Sequence, residues 1–258
     1  MSTLYFATAG KSAVGLVRAG NEDSAMTSRF LVAVADGMGG HAAGEVASRL
    51  AITTLANESQ IFTQADCDIE SADDLYSASL SVIDETISAY AIENPELAGM
   101  GTTLSALFLR GASVAALHIG DSRIYRLRGN SFEQLSTDHT VIQELLAQGA
   151  ITEAEVATHP QRSVLTQVLM GDGRNQPSLS IFDAKLDDRY LLCSDGLTNV
   201  LADKEIKAIL KGKARGAAAD ALVDAAYING APDNVTVIVA DVLDNDIQEP
   251  LAMLGAAK

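Results

Sequence analysis

The chain has 258 residues, 48% of them hydrophobic and 20% charged, with no tryptophan, the composition of an ordinary folded protein. Its formal net charge of -16 excludes a main task of gripping nucleic acid or an anionic membrane, because both need a basic surface. Cys67 and Cys193 lie far apart without a CxxC pair, which excludes a disulfide framework and fits a reducing cytoplasm. Met1 to Gly20 carries no basic stretch followed by an apolar core, and no apolar run approaches the roughly 20 residues of a membrane span. A soluble chain is expected.

Short runs rich in Val, Ile and Leu predict strands at Phe30–Ala35, Thr103–Leu109, Val114–Ile119, Arg123–Arg128, Tyr190–Cys193 and Val235–Ala240. Helical spacing marks Gly44–Leu55 and Ser71–Ala91, and again Asp203–Leu210 and Ala217–Asn229. Strands that follow one another through turns, with helices in separate blocks, predict an α+β layered domain with more than one sheet. Thr140–Gly171 opens like a helix and then becomes short and polar, so a surface insertion is expected at about 144–170. No linker or repeat divides the chain, which predicts one domain over 1–258 ending in a polar, Ala-rich tail from 243 to 258.

Several of these strands stop or start at an aspartate. Phe30–Ala35 runs into Asp36-Gly37, Val114–Ile119 into Gly120-Asp121, and Tyr190–Ser194 into Asp195-Gly196, while Asp233-Asn234 precedes Val235. A lone Asp-Gly is most simply a turn. Four carboxylates at strand ends instead suit a hard dication, which draws several carboxylate oxygens to one point from separate elements. Glycine beside a ligand also lets a backbone carbonyl approach the ion. Oxygen donors select magnesium, manganese or calcium, and no His/Cys cluster of the zinc type is present.

The motifs in order are Val17-Arg18-Ala19-Gly20-Asn21-Glu22-Asp23, Asp36-Gly37-Met38-Gly39-Gly40-His41, Gly101-Thr102-Thr103 and Gly120-Asp121-Ser122-Arg123-Ile124-Tyr125. Thr137-Asp138-His139, Leu165-Thr166, Cys193-Ser194-Asp195-Gly196-Leu197-Thr198-Asn199 and Asp233-Asn234-Val235-Thr236 follow. As a set, from about residue 10 to 242, they closely resemble the bacterial branch of the metal-dependent, type 2C serine/threonine protein phosphatases. The resemblance implies a four-layer αββα sandwich of two mainly antiparallel sheets flanked by helices, with a metal centre at one end. It implies hydrolysis of phosphoserine and phosphothreonine on proteins by a hydroxide bridging two Mn2+ or Mg2+ ions, opposing a Ser/Thr kinase. A monomeric, cytoplasmic enzyme without nucleic-acid or membrane partners is expected.

Residue by residue, the resemblance implies that Asp36 bridges two metals, with the Gly37 carbonyl, Asp195 and Asp233 completing their protein ligands. Asp121 is implied as the ligand of a third, weaker ion shared with Asp195, although Asn199 stands where some relatives carry a further acidic ligand. Glu22 and Asp23 match positions that hold metal-bound waters, and Arg18 matches the arginine that clamps the substrate phosphate. Animal relatives place a histidine directly after the Asp-Gly pair as candidate general acid. This chain has Met38 there, leaving His41 or a metal-bound water as the proton donor. His118 reads as packed within a strand, and His139 as fixing the loop after Asp138. Asp138 itself is open between a helix cap before Thr140, the preferred reading, and a contact to metal-bound water. Thr140–Gly171 corresponds by position to the family's flap. The rival reading is an inactive, phosphatase-like module that binds phosphoproteins.

Overall fold

The computed structural model describes residues 4–39, 43–62, 69–156, 159–245 and 249–258. Its strands are β1 (Tyr5–Ala13), β2 (Asp23–Thr27), β3 (Leu31–Met38), β4 (Gly101–Thr102), β5 (Leu104–Arg110), β6 (Ser113–Ile119), β7 (Arg123–Arg128) and β8 (Ser131–Gln134). β9 (Ser178–Asp183), β10 (Arg189–Cys193), β11 (Val235–Leu243) and β12 (Ala252–Gly255) follow. The helices are α1 (Ala43–Phe62), α2 (Ala72–Glu93), α3 (Val141–Ala147), α4 (Glu153–Val156), α5 (Asp195–Thr198), α6 (Asp203–Gly212) and α7 (Arg215–Ile228).

Two antiparallel sheets form the centre. The first has the order β1-β11-β10-β7-β8, and the second β12-β2-β3-β5-β6-β9, with β4 paired to β3. The sequence explains the stacking. Side chains alternate across a strand, and the central strands are apolar at successive positions because both faces are covered. Val32 and Val34 of β3 join Leu107, Ile124, Leu192 and Ile238 in the core between the sheets. The intervening Leu31, Ala33 and Ala35 pack instead with Ile52, Leu55, Ile83 and Ile87 of α1 and α2. On the other outer face Val235, Val237 and Val239 meet Ile206, Leu210, Leu222 and Val223 of α6 and α7. The result is the four-layer α+β sandwich expected from the motifs.

Each strand and helix predicted from periodicity matches an observed element, overrunning it by one residue at Phe30, Ser71, Thr103 and Asn229. β1, β2 and β9 escape prediction because Ala, Ser, Gly and Asp dominate much of them, residues with weak strand preference. Their pairing is set by neighbours: β1 matches β11 over Tyr5↔Leu243 to Ala13↔Val235. The expected C-terminal tail also carries structure. β12 pairs Ala252–Gly255 with Ser24–Thr27 of β2, and the Ala256 amide donates to the Asp23 carbonyl at 2.8 Å. Glu249 accepts from the Thr8 amide and hydroxyl at 3.3 and 3.0 Å. Deleting residues 249–258 is therefore expected to destabilise the protein by on the order of 2 kcal/mol or more. It should also bare the β2 edge to self-association, read by urea unfolding and light scattering.

Candidate active site

Antiparallel pairing brings the aspartates together. β3 and β6 both flank β5, so their C-terminal ends fall at one end of the second sheet. β10 ends where β11 begins. Asp36, Asp121, Asp195 and Asp233 consequently line one cleft of about 400 Å³, together with Arg18, Glu22, Gly37, Met38, Ser163 and Leu165. Asp121, Ser163, Asp195 and Asn199 also border a larger groove of about 820 Å³ running beneath α3.

Each aspartate is held by its backbone. The Asp36 amide donates to Thr103 Oγ1 at 2.9 Å, and its carbonyl accepts from the Thr103 amide and from Thr102 Oγ1, each at 2.9 Å. The adjacent Gly37 lies so close to the start of α1 that an added Cβ would sit 2.0 Å from the Gly44 carbonyl oxygen. Gly196 has the same function beside Asp195: a Cβ there would meet the Asn234 carbonyl oxygen at 1.9 Å, so only glycine lets the Asp195 turn rest on Asp233-Asn234. Asn199 Nδ2 donates to Asp195 Oδ2 at 2.9 Å.

Arg18 lies exposed at the lip, donating to Asp233 Oδ2 at 2.7 Å and more weakly to Glu22 at 3.4 Å. Asn234, which the sequence reading left without a role, holds this loop. Its Nδ2 donates to the Val14 and Gly20 carbonyls and its Oδ1 accepts from the Glu22 amide, all at 2.8 Å. Its place beside Asp233 was the available signal. Asp23 pairs with Asp36 across β2 and β3, is fully buried, and accepts from Ser194 Oγ at 2.7 Å. Its other oxygen has no partner among the described residues. His41 lies outside the described residues.

Two smaller readings are corrected or refined. Thr140, not Asp138, caps α3, its hydroxyl accepting from the Gln143 amide. Asp138 instead holds Arg123, accepting from Nε at 3.0 Å and from NH2 at 2.7 Å. A half-buried arginine at the start of β7 has a stronger claim on a carboxylate than a helix end does. His139 grips Gly120, accepting from its amide through Nδ1 at 3.2 Å and donating its own amide to the Gly120 carbonyl at 2.8 Å. His118 is packed, with Nδ1 on Ser105 Oγ at 2.9 Å.

The crowding is expressed electrostatically. Burial, then the charges of Asp23, Asp195, Asp121 and Asp233, hold the Asp36 carboxyl well above its usual range. Burial, with Asp195 and Asp138 beside it, pushes Asp121 up to about 7. Burial does the same to Asp23, against the opposing hydrogen bonds from Thr236 and Ser194. Asp195 is raised by burial and by Asp233. Such a cluster fits a dication, whose charge removes the repulsion. Among the described residues no three acidic, histidine or cysteine side chains close on a single point. The donors are spread along the cleft, as suits more than one ion completing its shell with carbonyl and water oxygens.

The sequence pattern of the family described as protein phosphatase 2C matches residues 21–222. The chain belongs to the protein phosphatase 2C family. It is 42% identical over 258 residues to the serine/threonine protein phosphatase PstP of Mycobacterium tuberculosis, covering 99% of this chain and 48% of that protein. The chain thus spans about half the length of that curated relative. The serine/threonine phosphatase stp of Listeria monocytogenes is 34% identical over 233 residues, covering 88% of this chain and 92% of its own length. Among solved structures, the M. tuberculosis PstP/Ppp phosphatase superposes with a TM-score of 0.84 at 42% identity, covering 92% of this chain and 98% of that one. The PstP catalytic domain in complex with two manganese ions gives 0.85 at 40% identity, covering 93% and 99%.

Two outcomes follow for this protein phosphatase 2C member. A carboxyl raised in the folded state binds more protons there than in the unfolded chain, so stability falls as pH rises through the folded value. His118 and His139, both lowered by burial, act in the opposite direction chiefly below their ordinary value of 6.5, an effect that fades over about one pH unit above it. In chelator, the thermal midpoint should therefore fall between about pH 6.5 and 8, and Asp121→Asn should flatten that fall. Gly196→Ala should cost about 2–4 kcal/mol by prying the Asp195 turn from Asn234, measured by urea unfolding.

Proposed function

We propose that this chain is a protein-serine/threonine phosphatase, hydrolysing phosphoserine and phosphothreonine in proteins with the help of two divalent cations, Mn2+ or Mg2+. The observation that carries the reading is the set of carboxylates from separate strand ends lining one cleft with a guanidinium at its lip. The similarity to serine/threonine phosphatases of M. tuberculosis and L. monocytogenes, and the two manganese ions of the PstP catalytic domain, support it.

Asp36, the Gly37 carbonyl, Asp195 and Asp233 would hold the pair, and Asp121 with Asp195 a third ion. All are oxygen donors suited to hard cations. Bound dications supply Lewis-acid activation of water near neutral pH and neutralise phosphoryl charge. Arg18 offers a planar fork to two phosphate oxygens, aimed by Asp233 and Glu22. Asn234 fixes the loop that carries it, so the guanidinium meets the substrate already oriented. Asp23 pairs with Asp36 across β2 and β3, and its burial favours the protonated carboxyl over the charged one beside the cluster. The segment 140–171 is read as the flap, and the groove beneath α3 as the path of the polypeptide on either side of the phosphorylated residue. Removing such a mark presupposes a Ser/Thr kinase that lays it down, and the enzyme is read as a cytoplasmic monomer.

The test is phosphate release from a phosphothreonine peptide with Mn2+, with chelator, and with variants. Turnover should need the metal, fall about 10³-fold or more in Asp195→Asn, and fall about 10- to 100-fold in Arg18→Ala. A folded wild type that bound Mn2+ yet released no phosphate would sink the enzyme reading in favour of a phosphoprotein-binding module.

A further inference from the structure

Helix α2 contributes no side chain to the cleft, yet one of its carboxylates is tied to it. Asp84 is half-buried in the middle of α2 and takes three donors from one short loop. Its Oδ1 accepts from the Gly171 amide at 2.9 Å and from Asn175 Nδ2 at 2.8 Å, and its Oδ2 from the Gly173 amide at 2.7 Å. Gly171 and Gly173 have φ of 74° and 68°, the left-handed region. Alternation of such residues turns nearby N–H groups toward one point and makes a concave anion-binding nest. Here the anion is the protein's own Asp84. The fit is close, because a Cβ on Gly171 would lie 2.5 Å from the Ser88 amide nitrogen of α2.

From this nest the contacts run to the candidate metal loop in two steps. Leu169, two residues before Gly171, exchanges both backbone hydrogen bonds with Thr102, each at 2.9 Å. Thr102 in turn pairs with Gly37 and donates its hydroxyl to the Asp36 carbonyl at 2.9 Å. The intervening Met170 is partly exposed, and its Cγ and that of Met38 of the cleft would lie 3.1 and 3.5 Å from a Cβ on Gly101. Upstream, Leu165 lines the cleft and is bridged to Thr140 at the base of α3. The stretch from Leu165, which lines the cleft, to Met170 is thus pinned at Thr140 on one side and at the Asp84 nest on the other.

We propose that Asp84 is a positioning residue: by gripping Gly171 and Gly173 it sets the segment that runs back through Leu169 to Leu165 at the cleft wall, and so the fit of the phosphorylated polypeptide. The effect on turnover rests on the phosphatase reading given above, but the grip itself does not. A small aryl phosphate needs only the ions and Arg18, whereas a peptide must also lie against the wall. Asp84→Ala should therefore raise KM for a phosphothreonine peptide about tenfold and leave kcat for p-nitrophenyl phosphate within about twofold. Asp84→Asn, which keeps one acceptor oxygen, should fall between.

Amide hydrogen exchange on the Mn2+-loaded protein reads the same device without catalysis. Gly171, Gly173, Leu169 and Thr102 should exchange faster in Asp84→Ala, while β5 and β6 stay protected. Wild-type exchange at Leu169 and Thr102 in that variant would overturn the proposal, as would equal losses of kcat on peptide and aryl phosphate. If the wild type hydrolysed neither substrate, the phosphatase reading would fall, and exchange alone would still decide whether Asp84 sets the wall.

Discussion

The mutual repulsion of carboxylates held close together in a poorly solvated place is the constraint on which the rest of this structure depends. Asp36, Asp121 and Asp195 are each pushed above the usual carboxylate range, first by burial and then by the charges of neighbouring aspartates. Left to themselves, flexible side chains on flexible loops would swing apart into water. They are kept together because the backbone beneath them cannot yield: threonine hydroxyls hold the Asp36 peptide from one side, and glycine contacts at Gly37 and Gly196 leave no room for relaxation. The electrostatic strain is the counterpart of cation affinity, since a dication converts the repulsion into attraction.

The sandwich supplies that rigidity by topology. An antiparallel sheet returns every second strand end to the same side, so β3 and β6 deliver Asp36 and Asp121 from one sheet while β10 and β11 deliver Asp195 and Asp233 from the other. The chain crosses between sheets at Ser122, directly after Asp121, and Ser122 Oγ shares a hydrogen bond of 2.8 Å with Thr103 Oγ1. The two halves of the cleft are therefore coupled through buried hydroxyls as well as through the apolar core between the sheets. Such a shell restricts the orientation of the groups it carries.

Around this rigid floor the parts proposed to meet a substrate are separately tethered. Arg18 is on a loop with little packing of its own, fixed by the amide of Asn234. The segment 140–171 touches the cleft through Ser163 and Leu165 and returns to the body at Leu169 and the Asp84 nest. A fixed metal floor with tethered walls lets the chemistry remain constant while the recognition surface is tuned by changes at the tethers.

Much of this was legible in the chain itself. The apolar runs gave the central strands, because residues covered on both faces must be apolar at every position. Asp36-Gly37, Asp195-Gly196 and Asp233-Asn234 marked the site because a hard cation and a close backbone approach both leave traces in residue type. Where local composition is weak, as in β1, β2, β9 and β12, pairing with an existing edge decided the structure, and no local signal could have announced it. The same is true of Asp138, which could cap a helix or hold Arg123 until folding brought that arginine within 2.7 Å. Asp84 is a polar residue without local distinction, and even Asn234, marked only by its place beside Asp233, has a partner that no local pattern names; these partners lie 87 and 214 positions away in the sequence. The sequence by itself determined which groups can bind a cation and which stretches must be buried, since both depend on the chemistry of single residues. Only the tertiary structure decided which polar groups share a hydrogen bond, because that depends on distances set by the packing of the whole chain.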